Sequence, residues 1–157
     1  MAFDKAEWQY DSALKEYLAR TGKEKAELTE EDESIIWKCA GNHIAFFLTW
    51  LIRRDLIGDM HLEEANEKAD LEAVKNQQKT GMDIFEKYCD MSFTDEDVAE
   101  DVLGFVQDYY DKRFLDDYCS CISQDKILQT TFNWSEYLRV EPLIDDAYED
   151  YLMHNCG

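Results

Sequence analysis

Residues that form turns are scarce in this sequence. The 157 residues include six glycines and one proline, and a many-stranded sheet needs more of both for its turns. Hydrophobic residues make up 45% and aromatic residues 13% of the chain, which excludes disorder despite 33% charged residues. The length fits one domain. We therefore expect a single all-α domain over residues 1–157, built as a bundle of six or seven helices.

Long apolar runs are also missing. The N-terminal segment MAFDKAEW has no apolar core of the signal-peptide type. The longest apolar run covers residues 44–52 and is broken only by Thr49, so it is far shorter than the ~20 residues that span a bilayer. Without an export signal we expect a cytoplasmic protein with reduced thiols. The five cysteines form an odd, scattered set: Cys39, Cys89, Cys119, Cys121 and Cys156.

Basic residues are heavily outnumbered. Sixteen Lys and Arg residues stand against 36 Asp and Glu residues, which gives a formal net charge of −20 and a pI near 4.3. Such a surface repels nucleic acid and anionic membranes, whereas it attracts basic proteins and cations. The net charge exceeds the ~2–8 units that keep a small domain soluble. We therefore expect a basic protein partner, with solubility alone as the simpler alternative.

The sequence also lacks the common catalytic motifs. Neither a Glu-x-x-His pair, an EF-hand loop, a glycine-rich phosphate loop nor a Gly-x-Ser-x-Gly turn occurs. Cys119 and Cys121 do not have the Cys-x-x-Cys spacing of redox or zinc sites. None of His43, His61 and His154 completes a Glu-x-x-His pair, and His43 fits a core histidine. We expect no catalytic residue, no metal and no cofactor, with a small carboxylate enzyme as the alternative.

Apolar periodicity predicts where the helices lie. The most apolar segment covers residues 30–54 and follows Thr29, which with Asp32 resembles a capping box. Because its apolar residues surround most of the axis, we expect this helix at the centre of the domain. Gly22 is a plausible end for the first helix, and Pro142 suits the first turn of the last one. Further helices are predicted over residues 4–21, 62–78, 82–89, 94–121 and 142–155, and residues 126–133 are the one passage that fits extended chain.

Acidic residues are concentrated in two stretches that contain no basic residue, residues 95–111 and 141–150. Like charges on one helix face destabilise the helix by a few tenths of a kcal/mol per pair. Spaced carboxylates can also mimic a phosphate backbone toward the cationic groove of a nuclease, although a solvated outer face explains any single cluster. We predict that the following residues bind the partner: Asp95, Glu96, Glu100, Asp101, Asp108, Asp111, Asp145, Asp146, Glu149 and Asp150.

Several aromatic residues fall outside the inward-facing stripes. Tyrosine and tryptophan often anchor interfaces, where a few buried residues contribute most of the binding energy. We expect at most two of these residues to act as anchors and the others to belong to the core. They are Tyr10, Trp37, Tyr110, Tyr137 and Tyr148.

Some of these motifs resemble a family of small acidic bacterial proteins. The matching features are Trp8 in EWQYDSA, the run over residues 42–52, Tyr109-Tyr110, the FLDDY motif at residues 114–118, and Trp134. Members of this family resemble immunity proteins of polymorphic toxin systems, so the resemblance implies an inhibitor that blocks a toxin by direct binding. The segment over residues 21–34 is longer than the family pattern.

Together these features favour an immunity-type inhibitor that binds and neutralises a cognate basic toxin or nuclease through an acidic helical surface. One alternative is a phage-type inhibitor of a nucleic-acid-guided nuclease, which would act as a nucleic-acid mimic. Another is a regulatory or adaptor domain that inhibits nothing and forms a homodimer. Neither direct nucleic-acid binding nor membrane binding is expected.

Overall fold

The computed structural model describes residues 2–122 and 126–155, and within them the chain is mostly helical. Six helices are present if the continuous helix over residues 103–121 is counted once, together with a small two-stranded sheet. The predicted mostly α-helical bundle is therefore confirmed. Cys156 lies outside the described residues. The strands are β1 (Ala2–Lys5) and β2 (Ser92–Thr94), and the helices are α1 (Glu7–Thr21), α2 (Glu30–Arg53), α3 (Ala65–Lys75), α4 (Gly81–Tyr88), α5 (Leu103–Tyr109), α6 (Leu115–Cys121) and α7 (Trp134–Asn155).

Helix α2 forms the centre of the bundle, as predicted from the apolar residues that surround most of its axis. The capping box forms, because Thr29 Oγ1 accepts a hydrogen bond from the Asp32 N–H at 3.1 Å and the Asp32 carboxylate accepts one from the Thr29 N–H at 2.9 Å. Every residue over 39–52 is buried. Among the described residues, α2 alone is long and apolar enough to cross a membrane, but 83% of its apolar window is buried inside the protein. That burial is typical of the core helix of a soluble protein.

The N-terminus of α4 packs directly on the backbone of α2. A Cβ atom placed on Gly81 would lie 2.0 Å from Thr49 Oγ1 and 2.5 Å from the Ala45 carbonyl oxygen. A side chain at residue 81 would therefore force the two helices apart. Gly81 therefore lets two helices approach closely.

Aromatic rings fill the space around α2. The ring of Phe47 contacts Phe114 and Tyr110 at centroid distances of 5.1 Å. Tyr110 and Tyr137 are buried, so the expectation that they lie off the inward stripes was wrong, whereas Tyr10, Trp37 and Tyr148 are half-buried. Trp8 on α1 is 57% exposed.

The small sheet was not predicted. Strand β1 pairs antiparallel with β2, and Phe3 packs on Phe93 with ring centroids 5.3 Å apart. This pairing holds residues 2–5 extended, so α1 begins at Glu7 rather than at residue 4. The end of α1 is as predicted, because Gly22 adopts a φ of 75° and donates its N–H to the Leu18 carbonyl at 2.9 Å.

Two further segments differ from the expectation. Helix α7 runs unbroken from Trp134 to Asn155, and Pro142 lies inside it rather than in its first turn. Pro142 is on the exposed face, where solvent can hydrate the carbonyl group that the proline leaves without a donor. Residues 126–133 form turns and irregular chain rather than a strand. The helix predicted over residues 94–121 contains a π-helical turn, Tyr110–Phe114.

Candidate acidic surface and buried His–Cys–Asp cluster

The first acidic stretch begins in turns rather than in a helix. Thr94 caps a short 3-10 turn, Asp95–Asp97, a second 3-10 turn covers Glu100–Val102, and α5 begins only at Leu103. The helix that was predicted to begin at residue 94 therefore begins nine residues later, at Leu103. The cause is long-range, because the buried Asp97 also contacts His61 and holds this turn against the preceding part of the chain.

Most of the predicted acidic residues are accessible in this stretch. Asp95 is half-buried, and the other five are exposed: Glu96, Glu100, Asp101, Asp108 and Asp111. Lys112 lies 3.6 Å from Asp108, one helical turn away, in a solvent-exposed ion pair. Such a pair contributes little to stability. This part of the surface therefore presents carboxylates to solvent, as the sequence predicts.

In the second stretch, Asp145 has a structural role that the sequence did not predict. Its carboxylate accepts hydrogen bonds from Arg54 at 2.8 and 2.9 Å and from the Trp50 indole N–H at 2.8 Å. Burial raises the pKa of Asp145, but the hydrogen bonds from Arg54 and Trp50 lower it by more, so the net shift is downward. Asp145 thus fastens α7 to the C-terminal end of α2. The remaining predicted residues of this stretch are exposed: Asp146, Glu149 and Asp150.

The two acidic stretches lie on elements that pack against each other. The ring of Phe105 on α5 contacts Tyr148 and Tyr151 on α7 at centroid distances of 5.0 and 5.7 Å. A Cβ atom on Gly104 would lie 2.4 Å from the Tyr151 hydroxyl oxygen, so the end of this α7 side chain lies against α5. Burial raises the pKa of Tyr148, and the negative charge of Asp101 raises it further. Asp101 lies in the 3-10 turn directly before α5.

Exposed apolar side chains border the acidic residues of α7. Leu152 is 39% exposed and Met153 is 79% exposed, and they lie three and four residues after Glu149 along the helix. Single exposed apolar residues are ordinary on protein surfaces. Here they provide apolar contact area beside carboxylates. We call the exposed residues Glu100, Asp101, Glu149 and Asp150, together with these two side chains, the α5–α7 surface.

A buried polar cluster includes Asp97, which lies within the first acidic stretch. Its residues are His61, Glu67, Cys89 and Asp97, which are 1%, 6%, 9% and 2% exposed. His61 Nε2 lies 2.7 Å from Asp97 Oδ1, and the Cys89 thiol lies 3.6 Å from the same oxygen. The second ring nitrogen of His61, Nδ1, contacts the Glu67 carboxylate. Four groups able to bind protons or metal ions therefore share one water-poor site.

The charges of this cluster stabilise one another. Burial lowers the pKa of His61, but the hydrogen bonds to Asp97 and Glu67 raise it by more, so the net shift is upward. Burial and the neighbouring Asp97 raise the pKa of Cys89 well above its usual range. The thiol is therefore protonated at neutral pH when only these protein groups surround it.

Sequence reasoning missed this cluster because its members are far apart in the chain. Spacing within one helix identifies only ligands that are three or four residues apart. The cluster instead joins a 3-10 turn, Asp59–Leu62, to α3, to the end of α4 and to the turn that follows β2. His43, by contrast, is buried with Nε2 2.9 Å from Asp4 Oδ2, as expected for a core histidine. Cys119 and Cys121 are half-buried free thiols, also as expected.

Residues 2–133 match the family model of a domain of unknown function, DUF7832. The chain belongs to the DUF7832 family. The matched range contains the first acidic stretch and all four residues of the buried cluster, whereas the second acidic stretch lies beyond it. No curated protein and no solved structure matches the chain. The resemblance to immunity proteins therefore stays a prediction.

Proposed function

We propose that this protein is an immunity-type inhibitor, which binds and neutralises a cognate basic toxin or nuclease in the cytoplasm. The observation that supports this proposal most strongly is the packing of α5 against α7. It places the exposed carboxylates of two basic-free stretches on adjoining elements, and we infer that they act on a partner together. The surface is formed by a rigid bundle, and a preformed surface binds without an ordering cost.

Electrostatics explains how such a surface finds its target. A net charge of −20 attracts a basic protein over long range, and steering of this kind raises association rates by about 10–10³-fold at low salt. The exposed carboxylates near the start of α5 and on α7 concentrate that field at one place. Salt screens exposed charges over about 8 Å at physiological ionic strength, so the attraction weakens as salt is added.

Apolar contacts complete the proposed interface. Charge steers the encounter, but a few desolvated side chains usually supply most of the binding energy. Met153 and Leu152 are exposed beside the acidic residues of α7 and fit this role. Asp145 does not, because its carboxylate is already engaged by Arg54 and Trp50. We therefore remove Asp145 from the residues that were predicted to bind the partner.

The first test identifies the partner. The tagged protein is immobilised, exposed to lysate of its source cells at low salt, and eluted with a salt gradient that is read by mass spectrometry. We expect one basic protein to elute in stoichiometric amount. Scattered basic proteins that elute at low salt would contradict the proposal and favour a generic role for the charge.

The second test asks whether the surface neutralises that partner. One variant replaces the four acidic residues of the α5–α7 surface by amides: Glu100→Gln, Asp101→Asn, Glu149→Gln and Asp150→Asn. A control variant with the same net charge changes four exposed acidic residues on other elements: Asp11→Asn, Glu31→Gln, Glu63→Gln and Glu64→Gln. We expect the wild type and the control to inhibit the partner's activity at equimolar ratio, whereas the surface variant requires excess. Equal inhibition by both variants would refute the proposed surface.

A further inference from the structure

We propose that His61, Cys89 and Asp97 form a binding site for a transition-metal ion of the zinc class. Their ligand atoms, one imidazole nitrogen, one thiol sulfur and one carboxylate oxygen, all lie within 4.8 Å of one another. All three residues are buried. This proposal goes beyond the proposed inhibitor function and does not depend on it, because the site is in the interior rather than on the acidic surface.

The donor set selects the class of metal. Zinc and cobalt accept nitrogen, sulfur and oxygen ligands in tetrahedral sites. Calcium and magnesium require six or more oxygen ligands, and a histidine and a cysteine do not meet that need. Three protein ligands leave a fourth tetrahedral position for a small molecule from solvent. The composition of the cluster therefore favours a divalent ion of the zinc class.

Two of the three distances between the ligand atoms can be compared with those of a tetrahedral site. With ordinary zinc bond lengths, a sulfur and an oxygen ligand lie about 3.6 Å apart, and a nitrogen and an oxygen ligand about 3.3 Å apart. The Cys89 and Asp97 atoms are 3.6 Å apart, so this pair already has the required separation. The His61 and Asp97 atoms are 2.7 Å apart and must separate by about 0.6 Å to admit the ion. A shift of this size needs only small side-chain rotations.

The surroundings of the cluster resemble those of a built metal site. A histidine that binds zinc through one nitrogen usually donates its other N–H to a carboxylate, which fixes the ring. His61 has this arrangement, since Nε2 faces Asp97 and Nδ1 contacts Glu67. Asp97 is held in the same way, because its second oxygen accepts the Thr94 N–H at 2.8 Å. Two of the three ligands are thus oriented by further hydrogen bonds.

The backbone holds the ligands in place as well. The Gly58 N–H donates to the Asp97 carbonyl at 2.9 Å, and Ile57 forms an isolated antiparallel bridge with Val98. A Cβ atom on Gly58 would lie 2.1 Å from the Glu96 carbonyl oxygen, so only glycine permits this approach. The segments that carry His61 and Asp97 are therefore fastened together next to the site. A bound ion would further link them to the end of α4 through Cys89.

The test is a cobalt titration of the full chain after treatment with a chelator. Cobalt bound to a cysteine thiolate gives a charge-transfer band in the near ultraviolet, and intense visible bands report tetrahedral coordination. We expect both signals to saturate at one equivalent, and added zinc to abolish them by displacement. Absence of the charge-transfer band in the wild-type protein, with its fold verified by circular dichroism, would overturn the proposal.

Three variants assign the site to these residues. Cys89→Ser removes the charge-transfer band, whereas Cys119→Ser, at a half-buried thiol outside the cluster, retains it. Glu67→Gln keeps the band but weakens cobalt affinity by about 10–100-fold, the usual effect of losing an orienting partner. The Glu67 variant keeps all three ligands, so its result decides the matter even if the Cys89 variant does not fold. A band that survives Cys89→Ser, or an affinity unchanged by Glu67→Gln, would contradict the site.

Discussion

Replacing Gly81 by alanine should destabilise the protein by about 2 kcal/mol. The added Cβ would meet Thr49 Oγ1 at 2.0 Å and the Ala45 carbonyl oxygen at 2.5 Å, and the Thr49 hydroxyl is itself hydrogen-bonded to that carbonyl at 2.7 Å. Ordinary contacts between such atoms are above about 3.4 Å, so α4 must move away from α2 by roughly 1 Å. Overpacking of this kind costs about 1–3 kcal/mol. The better helix propensity of alanine offsets at most about 1 kcal/mol of that cost.

Gly104 provides the matched control. There the nearest atom to an added Cβ is the Tyr151 hydroxyl oxygen, at the far end of a flexible side chain that can turn toward solvent. Gly104→Ala should therefore change stability by less than about 1 kcal/mol, because small surface changes rarely exceed that amount. The same chemical substitution thus has different effects at two glycines, and the difference depends only on what each glycine touches.

Urea denaturation followed by circular dichroism measures both variants. A loss of 2 kcal/mol corresponds to a decrease in Tm of about 4–8 °C for a chain of this size. The urea dependence of the unfolding free energy should stay unchanged, because the unfolded surface area is the same. If Gly81→Ala were as stable as the wild type, or no less stable than Gly104→Ala, the described contact between α4 and α2 would be wrong.

Two further predictions concern capping and pH. Thr29→Ala removes the cap of α2 and should lower the unfolding free energy by about 1 kcal/mol, measured by the same urea titration; no loss would contradict the capping box. Burial raises the pKa of Glu141, but the hydrogen bonds from Arg53 and Tyr137 lower it by more, so the net shift is downward. Its contribution to stability is therefore present above the unfolded carboxyl pKa of about 4.3 and is lost as the pH falls. Glu141→Gln should flatten the pH dependence of Tm below pH 5, and an unchanged slope would argue against this ion pair.

The central part of the fold was predictable from local patterns. Residues 39–52 of α2 are buried without exception, and a segment apolar around its axis has no other stable place in a soluble domain. The capping residues Thr29 and Gly22 also specify helix ends through contacts only a few residues away. Local chemistry of this kind can be read without knowing the rest of the structure.

The elements that sequence reasoning missed depend on distant contacts. Strand β1 exists because residues 2–5 pair with a segment some ninety positions later. Helix α7 continues through Pro142 because the residues on either side are packed against the bundle, which outweighs the local preference of proline. In both cases tertiary contacts override a correct reading of local propensity.

In the candidate sites too, features that depend on local sequence were predicted, whereas features that depend on distant contacts were not. Charge patterning located the acidic stretches, and most of their carboxylates are exposed. It could not distinguish Asp145 from its neighbour Asp146, because the partner of Asp145 is Arg54, 91 positions earlier. The His61 cluster was missed for a similar reason, since His61 and Asp97 are 36 positions apart. A spacing search within single helices does not find such sites.

The central claim is that the α5–α7 surface binds a basic partner. The most direct test measures the association rate of the captured partner with the wild type, the α5–α7 surface variant and the charge-matched control at low and at physiological salt. We expect the surface variant to associate at least about tenfold more slowly at low salt, with a smaller difference at higher salt, whereas the control behaves like the wild type. Equal association rates for both variants would contradict the claim.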